Sequence, residues 1–95
     1  MPGAQAFLEM DEFCVYVLYS NSAGKTYTGL TQNLIARFKS HNQLGTKGFT
    51  VKYRPWIVVH TEFYADKKQA LQREKALKSG QGRQWIKNHI LPQYH

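Results

Sequence analysis

Ninety-five residues with 42% hydrophobic and 14% aromatic content fit one small folded domain and exclude a disordered tail. Cys14 is the one cysteine, so an internal disulfide is excluded, no Cys/His spacing suits zinc, and no apolar run is long enough to span a bilayer. Thirteen lysines and arginines face six acids, a formal charge of +7, and only Glu62, Asp66 and Glu74 among the acids lie beyond Phe13. A chain this basic favours a polyanionic partner.

In chain order, residues 1–12 (MPGAQAFLEMDE) lack any period and read as a loose N-terminal lead, with Met10 an alternative start. The folded domain is expected over residues 13–91, with a short tail over 92–95. Phe13 to Ser20 is β-branched and aromatic, apolar on both faces, and reads as a central strand. Asn21-Ser22-Ala23-Gly24 reads as a four-residue hairpin loop, which sets Ser20 opposite Lys25, Leu18 opposite Tyr27 and Tyr16 opposite Gly29. Tyr16 and Tyr27 then become diagonal neighbours on one face, with Gly29 leaving open space beside the Tyr16 ring. A one-residue slip would send the two rings to opposite faces.

Thr31 is the expected N-cap of a helix from Gln32 to about His41, with Leu34, Ile35 and Phe38 as its apolar stripe. Asn33, Arg37 and His41 share another face of that helix. Asn42 to Pro55 reads as a polar loop whose Lys47, Lys52 and Arg54 either touch phosphate or are merely solvated. Trp56 to Tyr64 is a third strand, and His60 within it is expected to be structural. Asp66 caps a helix from Lys67 to about Lys78. Ala70, Leu71, Glu74 and Leu77 share one stripe of it, which sets a carboxylate among packing residues. Such a carboxylate needs a cation: either a bound metal or, as the ordinary alternative, Lys78 one turn on. Ser79-Gly80 ends this helix, and a last one is expected from about Gly82 to Ile90, stopped by Pro92.

Val15-Tyr16-Val17-Leu18, Tyr27-Thr28-Gly29, Asn33-Leu34 with Arg37 and His41, and Ala70 with Arg73-Glu74-Lys75 and Leu77-Lys78 together resemble the GIY-YIG nuclease superfamily, in particular its small single-domain bacterial-type members. Arg54-Pro55 and Lys78-Ser79-Gly80 with Gly82-Arg83 extend the resemblance to nearly the whole chain. Cys14 stands where the first motif has Gly, and Thr28 replaces the Ile of the second. The resemblance implies an α+β fold, a small three-stranded antiparallel sheet flanked by helices in β-β-α-β-α-α order, similar to the incision domain of the excinuclease of nucleotide excision repair. It also implies that Tyr16 and Tyr27 are the functional tyrosines, Arg37 the catalytic arginine and Glu74 the metal-binding glutamate. His41 matches a histidine common among the small members.

The activity so implied is metal-dependent hydrolysis of a nucleic-acid phosphodiester, DNA rather than RNA, in repair, recombination or related processing. One divalent ion, Mg2+ or Mn2+, would sit on Glu74. Tyr16 and His41 are alternative general bases, and the residues do not separate them. Lys25, Asn33, Lys47, Lys52 and Arg54 are the expected nucleic-acid contacts. The chain is expected to be cytoplasmic, a monomer or weak homodimer, with no appended recognition domain and a protein partner as one source of specificity. A non-catalytic nucleic-acid-binding module with the same basic face is the alternative, and a small basic domain docking on acidic protein or ribosomal RNA a third.

Overall fold

The computed structural model describes residues 12–44 and 48–94. The expected N-terminal lead, Glu12 excepted, lies outside the described residues, as does Lys47. Strand β1 (Phe13–Ser20) is central to a three-stranded antiparallel sheet, between β2 (Lys25–Thr31) and β3 (Ile57–Tyr64). The fold is α+β and follows the expected order, with one addition: a short helix, α2 (Phe49–Lys52), inside the segment expected to be loop. The other helices are α1 (Leu34–Lys39), α3 (Lys67–Lys78) and α4 (Gly80–Trp85).

The hairpin register is the expected one, with Ser20 opposite Lys25, Leu18 opposite Tyr27 and Tyr16 opposite Gly29. Gly24 closes the turn at φ +65°, where a side chain is disfavoured, and its N–H donates to the Ser20 carbonyl at 2.8 Å. Alternation along β1 then builds two cores. Val15, Val17 and Tyr19 pack with Ala70 and Leu77 of α3 and with Ile86, Ile90 and Leu91. Cys14, Tyr16 and Leu18 pack on the other face with Trp56, Leu34 and Phe38. Between β1 and β3 the register shifts at Val17/Leu18, because Val17 faces His60 while Leu18 faces Val58. Val59 is the extra residue of this bulge and turns into the first core.

Helix boundaries depart from expectation in four places. The cap of α1 is Asn33, whose Oδ1 accepts from the Ala36 N–H at 3.1 Å. Thr31 is drawn off that role, its hydroxyl accepting from the Asn33 N–H at 3.0 Å. The chain does not continue as α-helix to His41 but widens into a π-turn over Ser40–Leu44. At the other end, Ser79 caps α4 through the Gly82 N–H at 3.1 Å, so that helix starts at Gly80. It widens over Ile86–Ile90 and tightens into a 3-10 turn over Leu91–Tyr94. Pro92 therefore does not stop the chain: at the start of a turn its missing N–H costs nothing. Asp66 caps α3 as expected, accepting from the Lys68 N–H at 2.9 Å.

On the side of the sheet that carries α3, Glu62 forms a clamp. Arg73 donates Nε to Oε1 at 2.8 Å and Nη2 to Oε2 at 3.0 Å, while Tyr64 and His60 also contact the carboxylate. Burial alone would raise the Glu62 carboxyl, but the hydrogen bonds from Arg73, Tyr64 and His60 outweigh it and hold the pKa at about 2. His60 is thus structural, as expected, its ring also meeting Trp85 edge-on. Among the described residues no helix is long and apolar enough to cross a membrane.

Candidate active site

Three residues meet on the face of the sheet opposite α3. Tyr16 is buried in β1, Tyr27 stands diagonally from it on β2, and His41 drops onto both from the π-turn. The Tyr16 and Tyr27 ring centroids are 6.3 Å apart, and His41 lies 4.7 Å from Tyr27. Tyr16 Oη and His41 Nε2 are 2.9 Å apart, a hydrogen bond between residues distant in the chain. Along this stretch Arg37 is exposed and His41 only 7% exposed.

The space beside Gly29 is not open. A Cβ built there would stand 2.9 Å from Cε1 of Tyr16 and nearer still to Cζ and Oη. Gly29 is needed because the phenol lies across its α-carbon, so the missing side chain makes room for the Tyr16 ring itself.

Electrostatics place the remaining groups. Burial pushes the Tyr16 phenol well above the usual range of phenols, Tyr27 and Glu74 push it further, and Arg37 acts against them. Tyr27, Arg37 and Glu74 therefore all stand within electrostatic reach of one phenol. His41 moves the other way: burial lowers its pKa, and Arg37 and Arg54 lower it more. At neutral pH both partners of the hydrogen bond are uncharged. Cys14 lies on the same face, and burial lifts its thiol to about 11, so it stays protonated and inert.

Glu74 is partly buried on α3, between the buried Ala70 and Leu77; Leu71, expected on the same stripe, is exposed. Its Oε2 lies 3.1 Å from Lys78 Nζ, so the ordinary partner is present. Among the described residues no group of three or more His, Cys, Asp or Glu gathers as a metal cage. A single carboxylate oxygen donor nevertheless suits a magnesium-type ion, which is held through one or two protein carboxylates and keeps most of its waters.

The expected nucleic-acid contacts divide. Arg37 and Asn33 line an open hollow of about 250 Å³ with Thr31, Ala36 and Ser40. Lys25 and Lys52 both lie over the Tyr53 ring, at 5.1 and 5.5 Å from its centre. Arg54 turns inward instead: its Nε donates to the His41 carbonyl at 2.6 Å and its Nη2 to the Ser40 carbonyl at 3.2 Å. That pins the turn which carries His41. Asn42 adds a second pin that spacing does not signal, its side chain donating to the Trp56 carbonyl at 2.9 Å and accepting from the Trp56 N–H at 2.6 Å.

The family model described as the GIY-YIG catalytic domain matches residues 12–88. UPF0213 proteins of Staphylococcus aureus strains Mu3, Mu50 and N315 are each 36% identical over 70 residues, covering 74% of this chain and 84% of the relative. The name UPF0213 states no activity. The GIY-YIG domain is that of a nuclease superfamily acting on nucleic acid, typically with a divalent metal. By sequence, strand order and matched span, the chain belongs to the GIY-YIG catalytic domain family.

Proposed function

We propose that the protein is a metal-dependent endonuclease that hydrolyses phosphodiester bonds in DNA, with Tyr16, Tyr27, Arg37, His41 and Glu74 as its working residues. The observation that carries the reading is the 2.9 Å bond between Tyr16 Oη and His41 Nε2. A nucleic-acid-binding surface needs no neutral imidazole against a buried phenol.

The bond also joins the two candidate bases into one device. Tyr16 alone is a poor base, because burial holds its phenol protonated. His41 alone is buried, with the Tyr16 hydroxyl already on its Nε2. With the His41 proton on Nδ1, Nε2 accepts the Tyr16 proton while Tyr16 Oη takes one from the attacking water. Tyr27, whose ring lies 4.7 Å from that of His41, positions the water. Arg37 is exposed and free to donate to a non-bridging phosphate oxygen, where charge grows in the transition state. As the water oxygen bonds to phosphorus the P–O ester bond breaks, and the departing oxygen takes a proton from solvent; Glu74 is the residue that would hold Mg2+ or Mn2+, which would supply charge neutralisation at the phosphate.

The test is a cleavage panel over single-stranded, double-stranded and branched DNA and RNA, with magnesium and with chelator. Wild type should cut with magnesium only, and Glu74→Ala should bind DNA and not cut. Tight binding by wild type with no cleavage of any substrate would replace this reading with a non-catalytic binding module.

A further inference from the structure

Strand β2 is an edge of the sheet, and its side chains alternate between two sites. Tyr27 faces His41. Thr26 and Thr28 face the opposite way, toward α3 and α4. There they line a depression of about 290 Å³ with Leu77, Lys78 and Arg83. Its lining is thus buried Leu77, two threonines and two cationic residues; among the described residues, none that lines it is acidic. Arg83 is exposed and held in place by a bond from Nη1 to the Lys78 carbonyl at 2.9 Å. Lys78 is half exposed and joins the depression to the reacting centre, since its Nζ also meets Glu74.

We propose that the hollow of Thr26, Thr28, Lys78 and Arg83 is a second phosphate subsite, holding a backbone phosphate that flanks the one at the reacting centre. Hydroxyl and cationic donors around a small open hollow suit a phosphate group. The position gives the strand a path: across the open edge of β2, with one phosphate on the tyrosine face and a neighbour on the threonine face. Lys78 then serves both sites, leaving Glu74 for the incoming phosphate and so freeing the carboxylate. The inference rests on the nuclease reading for the identity of the polyanion.

Fluorescence anisotropy of a labelled oligonucleotide, in chelator and over a range of salt, tests it without cleavage. Lys78→Gln and Arg83→Gln should each reduce the slope of log affinity against log salt by about 1. Each should weaken binding about five- to tenfold near 0.15 M salt, the worth of one released counterion. Arg83→Lys should restore the slope. With magnesium, Arg83→Gln should raise KM by more than it lowers kcat. Should Arg83→Gln unfold for want of its bond to the Lys78 carbonyl, Lys78→Gln carries the test. Unchanged slopes in folded variants overturn the subsite while leaving the nuclease reading intact. Reduced slopes with no cleavage by wild type keep the subsite and overturn the nuclease reading. Inorganic phosphate that competes as well as oligonucleotide at equal phosphate concentration would assign the hollow to a free anion and overturn the proposal.

Discussion

Replacing Gly29 with alanine adds a single methyl group where the Tyr16 phenol lies. The backbone raises no objection, since Gly29 sits in regular strand and only Gly24 and Gly48 have positive φ among the described residues. The new Cβ would stand 2.9 Å from Cε1 and nearer to Cζ and Oη, whereas ordinary contact begins near 3.4 Å. The ring must retreat by roughly 1 Å into a packed core, at a cost of about 1–3 kcal/mol in stability. The same retreat disturbs the bond from Oη to His41 Nε2, which at 2.9 Å tolerates only about 0.6 Å of lengthening before it no longer counts. A displacement of that size at a reacting group costs about 100-fold in rate. The assay is single-turnover cleavage at saturating magnesium, read beside a thermal melt. Because the loss acts through the Tyr16 hydroxyl, Gly29→Ala in a Tyr16→Phe background should cost far less rate than in wild type. A Gly29→Ala protein that cuts at the wild-type rate, or losses that simply multiply in the double variant, would refute the reasoning.

Tyr16→Phe should itself slow cleavage by about 100-fold or more while leaving DNA binding near wild type, as expected for a group in the proton path; equal rates would remove Tyr16 from it. His41 has its pKa lowered by burial and by two arginines, so its neutral form persists below the ordinary 6.5. The rate should therefore hold through pH 6.5 and fall only below it, and a profile breaking above 6.5 would contradict the pairing. Glu62 has a folded pKa of about 2 against an ordinary 4.5, a gap of about 3 kcal/mol. Its pKa is depressed, so this stability is present above pH 4.5 and lost as pH falls toward 2. Urea melts should show that loss in wild type, with Glu62→Gln less stable at pH 7 and flatter over the acid range. Arg54→Ala should lower the rate more than it lowers DNA affinity, since its guanidinium holds the His41 turn; the opposite split would return it to the phosphate contacts.

The hairpin was legible because a loop of known length and a period of two leave one register, and that register alone sets Tyr16 beside Tyr27. Asp66 and Glu74 were legible for similar local reasons: a cap before a periodic run, and an acid on a packing stripe. What local pattern could not give was whatever depends on contacts far along the chain. The π-turn at Ser40–Leu44 has no signature of its own; it follows from Arg54 gathering the Ser40 and His41 carbonyls. Arg54 itself read as a surface cation because its acceptors are main-chain oxygens, invisible in composition. The crowding at Gly29 was inverted for a related reason. A missing side chain marks space, but only the course of the Tyr16 ring says what fills it.

Arg73 and Glu74 are consecutive on α3 and face different tasks. Arg73 grips Glu62 through two parallel bonds, which fixes not only where the helix lies but how far it is turned about its long axis. Each helical residue advances by about 100°, so locking one azimuth locks the next. The orientation of the Glu74 carboxylate is thus set by a handshake with strand β3. Loosening that grip would let the cylinder roll and smear the aim of Glu74 well before the domain came apart.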